Sequence, residues 1–201
     1  MAGVDIKLFN KWSFAGVEVQ DLGLKPYMNL KPIVVPKTNG YYHNTAFYKT
    51  KINVVERFIN HLQVVGHKGK KHLISSGHNT GKVYTISKIL RAVFDEIEQK
   101  TKQNPIQVFI TAIEHSAPRE EVITIERAGA RYAQAVDIAP QRRLDLVLRY
   151  MAQGPAHKAF NGTTSLQEAL VEEIMSAYQF GDKSVALAKR SEIEKMAAAA
   201  K

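Results

Sequence analysis

The chain has 201 residues, 45% of them hydrophobic, enough for one globular domain with a core of its own. It contains no cysteine, so disulfides and thiolate metal sites are excluded. The net charge of +9 points to anionic partners, while no window approaches the ~18 consecutive apolar residues of a membrane span and the start MAGVDIKLFNKW lacks the apolar run of a signal peptide.

Residues 1–52 read as an extended N-terminal arm, with Pro26, Pro32 and Pro36 breaking regular structure and Asn39-Gly40 marking a turn. Tyr27, Tyr41, Tyr42, Phe47 and Tyr48 alternate with lysines there. Such a segment can stack on bases while its cations meet phosphates, or its rings can pin it to the protein's own core. Residues 53–201 read as a helical domain. Val55, Phe58, Leu62 and Val65 share one helix face, with Asn53 and Glu56 spaced as a capping box and Gly66 as the stop. A glycine- and lysine-rich stretch follows. A second helix is expected over 83–100, and a third from Asn104-Pro105 to Pro118. Between about 121 and 138 the period drops to two, which predicts a β-hairpin with its tip at Ala128-Gly129-Ala130. A fourth helix is expected from Pro140 to Gln153 with Gly154 as its stop. A fifth starts at the capping box Ser165/Glu168 and ends at Gly181, and a sixth covers 183–200. The fold class is mainly α: about six helices in one bundle-like domain, with a hairpin protruding between the third and fourth.

The charge is unevenly placed. Between Leu22 and Phe94 there are twelve Lys or Arg and one acid, Glu56, whereas the remainder holds 16 basic and 18 acidic residues. A polyanion is the simplest partner, since each cation near a phosphate releases counterions; the plainer reading is a solvated basic surface. On the fourth helix Leu144, Val147, Leu148 and Met151 form the core stripe. Arg142 and Arg149, seven apart, fall opposite it, with Arg143 at the flank. Those arginines can bridge phosphates or pair with Asp145 and solvent. Arg127 and Arg131 flank the hairpin tip at Gly129, placed either to probe a nucleic-acid groove or merely to solvate a turn.

Enzymatic readings fail on spacing. In GHNTGK, residues 77–82, three residues separate Gly77 from Gly81 where a nucleotide-binding loop needs four, and Val83 stands where Ser or Thr should ligate Mg²⁺. His61, His67, His72 and His78 lack metal-ligand spacing, and no triad or carboxylate pair stands out. No enzyme activity, cofactor, metal or small-molecule substrate is expected.

PQRRLDLVLRYMAQG at 140–154 resembles the signature helix of small-subunit ribosomal protein seven, the universal uS7 family. KLFNKW at 7–12, VVERFIN at 54–60, NTGK at 79–82, NPIQVFITAIEHSAPREE at 104–121, AVDIAPQRR at 135–143, EALVEEI at 168–174 and KRSEIEKMA at 189–197 agree in the same order. The KLFNKW start and the PREE junction resemble the archaeal and eukaryotic branch. The resemblance implies six helices with a hairpin between the third and fourth, and a primary binder of the 3′ major domain of small-subunit rRNA that nucleates head assembly. It implies a cytoplasmic, ribosomal location at the subunit interface, a hairpin near mRNA and exit-site tRNA, and contact with neighbouring ribosomal proteins, including uS11, through the C-terminal part.

By position, Arg127, Gly129 and Arg131 then belong to the hairpin, Arg142 and Arg143 to the signature helix, and Lys49, Lys51 and Arg57 to an rRNA-contact region at the entry to the first helix. The expected rRNA set also includes Lys31, Lys37, Lys68, Lys70, Lys71, Lys82, Arg119 and Arg149. The stretch between Leu62 and Asn79 is longer than in many members, so its role as an extra rRNA contact stays open. The alternative from another class is a non-ribosomal DNA-binding or chromatin-like protein.

Overall fold

A computed structural model of the chain describes residues 6–68, 71–72 and 77–201. Six α-helices carry the body: α1 Val54–Gln63, α2 Val83–Thr101, α3 Pro105–Ser116, α4 Pro140–Ala159, α5 Leu166–Tyr178 and α6 Val185–Ala199. Short antiparallel pairs join β1 (Lys7–Leu8) to β2 (Trp12–Ser13) and β3 (His67–Lys68) to β4 (Lys71–His72). The longer pair, β5 (Glu120–Arg127) with β6 (Ala130–Asp137), is the hairpin between α3 and α4.

The apolar stripes explain the packing. α3 is apolar almost all round, with Ile106, Val108, Phe109, Ile110 and Ile113 fully buried, because it runs through the middle of the core. α5 packs against α2, α3 and α4 through Leu170, Val171 and Ile174. Phe109 lies between Phe58 of α1 and Phe94 of α2, with ring centroids 5.1 and 5.9 Å away.

α6 is held differently, since only Ala186 and Ala197 of its residues are buried. The buried Glu173 carboxylate accepts from Ser184 Oγ (2.8 Å) and from the backbone N–H groups of Val185 and Ala186 (both 3.0 Å), satisfying donors at its first turn.

Several local signals act as their chemistry requires. Asn104 caps α3 with Pro105 at its first turn, and Ser165 and Glu168 close a full capping box on α5. Asn53 caps α1 through Val55 N, but Glu56 does not complete the box. Its Oε1 accepts instead from the backbone N–H (2.8 Å) and hydroxyl (2.7 Å) of Thr38. The hairpin turn is one residue tighter than expected. Arg127 pairs with Ala130, leaving Ala128 (φ 50°) and Gly129 (φ 80°) as a two-residue loop in the left-handed region.

One expected boundary is overturned. α4 does not stop at Gly154 but continues through Gly154 and Pro155 to Ala159. The bare Gly154 lets α6 approach, since a Cβ there would lie 2.8 Å from Val185 Cβ. Packing of α4 on α6 and α5 therefore outweighs the helix-breaking tendency of the dipeptide.

The segment before α1 is irregular, yet it is stitched to the helices. Leu8, Trp12, Phe14, Val19, Leu24 and Met28 are buried in the same core as the helices. Trp12 meets Phe94 edge-to-face at 5.6 Å, and its Nε1 donates to Glu98 at 2.9 Å. The segment's apolar residues divide, these six facing the core while Leu22, Val35, Tyr41 and Phe47 stay exposed.

Candidate nucleic-acid interface

Residues 29–53 form a loop whose two ends are tied together. Val54 N donates to Asn29 O (3.1 Å), Asn53 Nδ2 to Lys31 O (3.0 Å), and Asn29 Nδ2 to the Lys51 carbonyl. Lys31 N closes onto Asn29 Oδ1 at 2.9 Å. These bonds bring Lys31 and Lys51 to the same neck, both exposed. Farther along, Pro36 is buried and Thr38 is bonded to Glu56, which fixes Lys37 between two anchors. Lys37 Nζ lies 5.1 Å from the ring centroid of Tyr84 in the first turn of α2, and Lys82 precedes that turn.

The loop aromatics divide. Tyr27 packs on the core, while Tyr41 (82% exposed) and Phe47 (76%) face solvent. The core-pinning reading thus applies to Tyr27, whereas Tyr41 and Phe47 are not pinned.

A second group gathers on α1 and α4. Asp145 accepts from Lys49 Nζ at 2.9 Å and Arg57 Nη2 at 3.0 Å, while Arg57 Nη1 donates to Tyr27 O at 3.3 Å. Asp145 thus serves the loop and α1, not the arginines of its own helix. Burial alone would raise its carboxyl, but hydrogen bonds from Lys49 and Arg57 and their charges hold it below the ordinary carboxylate value. Beside it, burial pushes the His61 imidazole down to about 4; Asp145 pulls the other way, and Arg57, Arg149 and Lys49 add to the lowering. A hollow of about 230 Å³ opens between Tyr48, Asn60, His61 and Asp145.

The expected arginines of α4 have three different fates. Arg149 is exposed and has no carboxylate partner among the described residues. Arg142 is exposed but holds Glu121 of β5 in a two-pronged pair at 2.7 and 2.8 Å. Arg143 is buried rather than flanking. Its Nε donates to Pro118 O (3.0 Å) and its Nη2 to Asp21 (2.9 Å), tying α4 to the α3–β5 junction and the N-terminal segment. Arg57 is likewise buried with its guanidinium engaged inside the protein.

Arg119 sits at the hairpin base, its backbone bonded to Glu194 and Ile138, with an exposed side chain. Arg131 pairs loosely with Glu126 at 3.6 Å beside the tip. Lys70 and the side chains of Lys68, Lys71 and Arg127 lie outside the described residues.

Ion pairing is sparser within the basic segment than outside it, although Lys7, Lys102, Arg119, Arg149, Lys183 and Lys195 also meet no carboxylate among the described residues. Among the described residues, Lys11, Lys100, Arg131, Arg142, Arg143, Lys158, Lys189, Arg190 and Lys201 all meet a carboxylate. Among the described side chains of the basic segment only Lys49 and Arg57 do, sharing Asp145. Lys25, Lys31, Lys37, Lys51, Lys82, Lys88 and Arg91 are exposed without one, and Glu56, the segment's only acid, is buried. Sequence reasoning passes over Tyr84 and names Asp145 only as a partner for the arginines of α4, not for Lys49 and Arg57. Tyr84 could have been found as the aromatic lying off the buried stripe Ile86, Leu90, Val93 and Ile97.

Among the described residues no group of three or more His, Asp or Glu is placed to hold a metal ion, and no helix is long and apolar enough to cross a membrane.

A mainly helical body that presents carboxylate-free cations on one tied loop and the adjoining helices defines a polyanion-binding class of protein. The chain belongs to the ribosomal protein S7p/S5e family, whose sequence model matches residues 24–201. The small ribosomal subunit protein uS7 of Nanoarchaeum equitans (strain Kin4-M) is 47% identical over 196 residues, covering 98% of this chain and 99% of that protein. That relative agrees with the archaeal-type features read from the sequence. The family is one of ribosomal proteins, not of enzymes.

Proposed function

We propose that this chain is a structural constituent of the small ribosomal subunit that binds the 3′ major domain of its rRNA as a primary binder and nucleates assembly of the head. The observation that carries the reading is that Lys31, Lys37, Lys51, Lys82 and Arg149 are exposed and meet no carboxylate among the described residues, on a loop and adjoining helices where ion pairing is sparser than on the rest of the body. These five are the phosphate contacts of the proposal, with Lys49 at their edge. Lys68, Lys70 and Lys71 extend the set along the glycine-rich stretch. Arg57 and Arg143 act from inside, fixing α1 and α4, and Arg142 sets the hairpin base. Arg119 adds a cation beside that base.

The hairpin, with Arg127, Gly129 and Arg131 at its end, would lie near mRNA and exit-site tRNA, and the C-terminal part would meet neighbouring ribosomal proteins including uS11. The protein would act in the cytoplasm, on the ribosome, with no cofactor or catalytic role.

Filter binding of the full chain to a head rRNA fragment, with random duplex DNA as competitor, tests this. Preference for the rRNA by a factor of at least ~10³ is expected of specific recognition. Equal affinity for both would overturn the proposal in favour of a general DNA-binding protein.

A further inference from the structure

Tyr84 is 73% exposed although it stands in the first turn of a helix whose other large apolar side chains face the core. Lys37 Nζ lies over its ring at 5.1 Å. Lys88 and Arg91 follow at four and seven residues, so the three side chains form one row ~10 Å long on the outer face of α2. None of these cations meets a carboxylate among the described residues, and the next acid on the row, Asp95, is taken by Lys11 at 2.5 Å. A row with an open aromatic at one end and unneutralised cations along it suits a single strand: the ring supplies a face for a base and the cations take the phosphates. A protein partner would call for carboxylates opposite every cation and leaves the exposed π-face unexplained.

We propose that Tyr84, backed by Lys37 and followed by Lys88 and Arg91, is a stacking site for an unpaired nucleotide of the small-subunit rRNA. The inference rests on the rRNA-binding reading above and adds to it the place where a base, not only a phosphate, is held. Lys37 is preset by its anchors at Pro36 and Thr38, so a base arriving on Tyr84 meets a ring already polarised by a cation.

The test compares the full-length wild type with Tyr84→Ala, Tyr84→Leu and Tyr84→Trp in binding to a 3′ major domain rRNA fragment over a salt series. Ultraviolet crosslinking of the wild-type complex accompanies it. Loss of the π-face should weaken binding about tenfold in both Tyr84→Ala and Tyr84→Leu, with the salt slope unchanged because no charge is lost. Tyr84→Trp should bind as wild type, and the crosslink should join Tyr84 to an unpaired nucleotide.

Tyr84→Ala and Tyr84→Leu binding within twofold of wild type would overturn the stacking site. If Lys31→Ala and Lys51→Ala still weaken binding in that case, the rRNA-binding reading stands without it. Unchanged rRNA affinity combined with failure of a ribosomal protein to join the assembling head would assign the face to a protein and equally overturn the proposal. A wild type that does not prefer the rRNA over duplex DNA would remove both readings together.

Discussion

Lys49 and Arg57 stand 96 and 88 residues before the carboxylate they share, Asp145. No local pattern announces such a pair, and the nearest arginines on α4 were the natural partners by spacing. The wheel of α4 did separate buried Leu144, Val147, Leu148 and Met151 from exposed Arg142 and Arg149. It misplaced Arg143, because a residue at the flank of a wheel is buried or exposed according to what packs beside it, here Pro118 and Asp21.

The Asp145 cluster also sets an acid response. His61 titrates at about 4 in the folded chain against 6.5 when free, so the unfolded chain takes up its proton first as pH falls. Stability from keeping His61 neutral is complete above pH 6.5 and is lost between there and about pH 4, on the order of 3 kcal/mol in all. The Asp145 contribution, held by a lowered carboxyl, disappears only below its ordinary value near 4. Urea denaturation across pH 7 to 4 should therefore show falling stability in the wild type and a flatter profile in His61→Gln. Parallel profiles would show that His61 is not the group responsible.

At the level of elements, period and capping were legible from neighbouring residues. α1 to α4 lie where the 3.6-residue stripes place them, α5 follows its capping box, α6 falls within the expected 183–200, and the hairpin lies where the period changes to two. The exceptions share one cause, a tertiary partner that local chemistry cannot show. Glu56 leaves its capping box for Thr38, and α4 runs past Gly154-Pro155 because α6 rests there.

The second case gives a sharp test. Gly154→Ala improves helix propensity by about 1 kcal/mol yet drives a methyl against Val185, so a net loss of ~1–2 kcal/mol is expected by chemical denaturation. Val185→Gly, at the first residue of α6, should remove the clash and restore most of the loss in the double variant. A stabilised Gly154→Ala single variant would contradict the close approach of α4 and α6.

For the molecule as a whole, the charge map was the most legible feature, but only as a total. The sequence locates the surplus between Leu22 and Phe94. It does not say that Glu56 turns inward, that Arg57 is consumed by Asp145, or that Asn29 and Asn53 tie the loop so that Lys31 and Lys51 share a neck. Those facts turn a basic stretch into a surface with named free cations. They also change what is expected of α4: Arg149 is open to a phosphate, whereas Arg142 already holds Glu121.

The salt dependence of binding to head rRNA, measured for the wild type and for a variant carrying Lys31→Gln, Lys51→Gln, Lys82→Gln and Arg149→Gln, addresses this surface directly. Four lost phosphate contacts should lower the slope of log affinity against log salt by about 3, with the folded state intact by circular dichroism. A slope equal to that of the wild type would contradict the assignment of these exposed cations as the rRNA-binding surface.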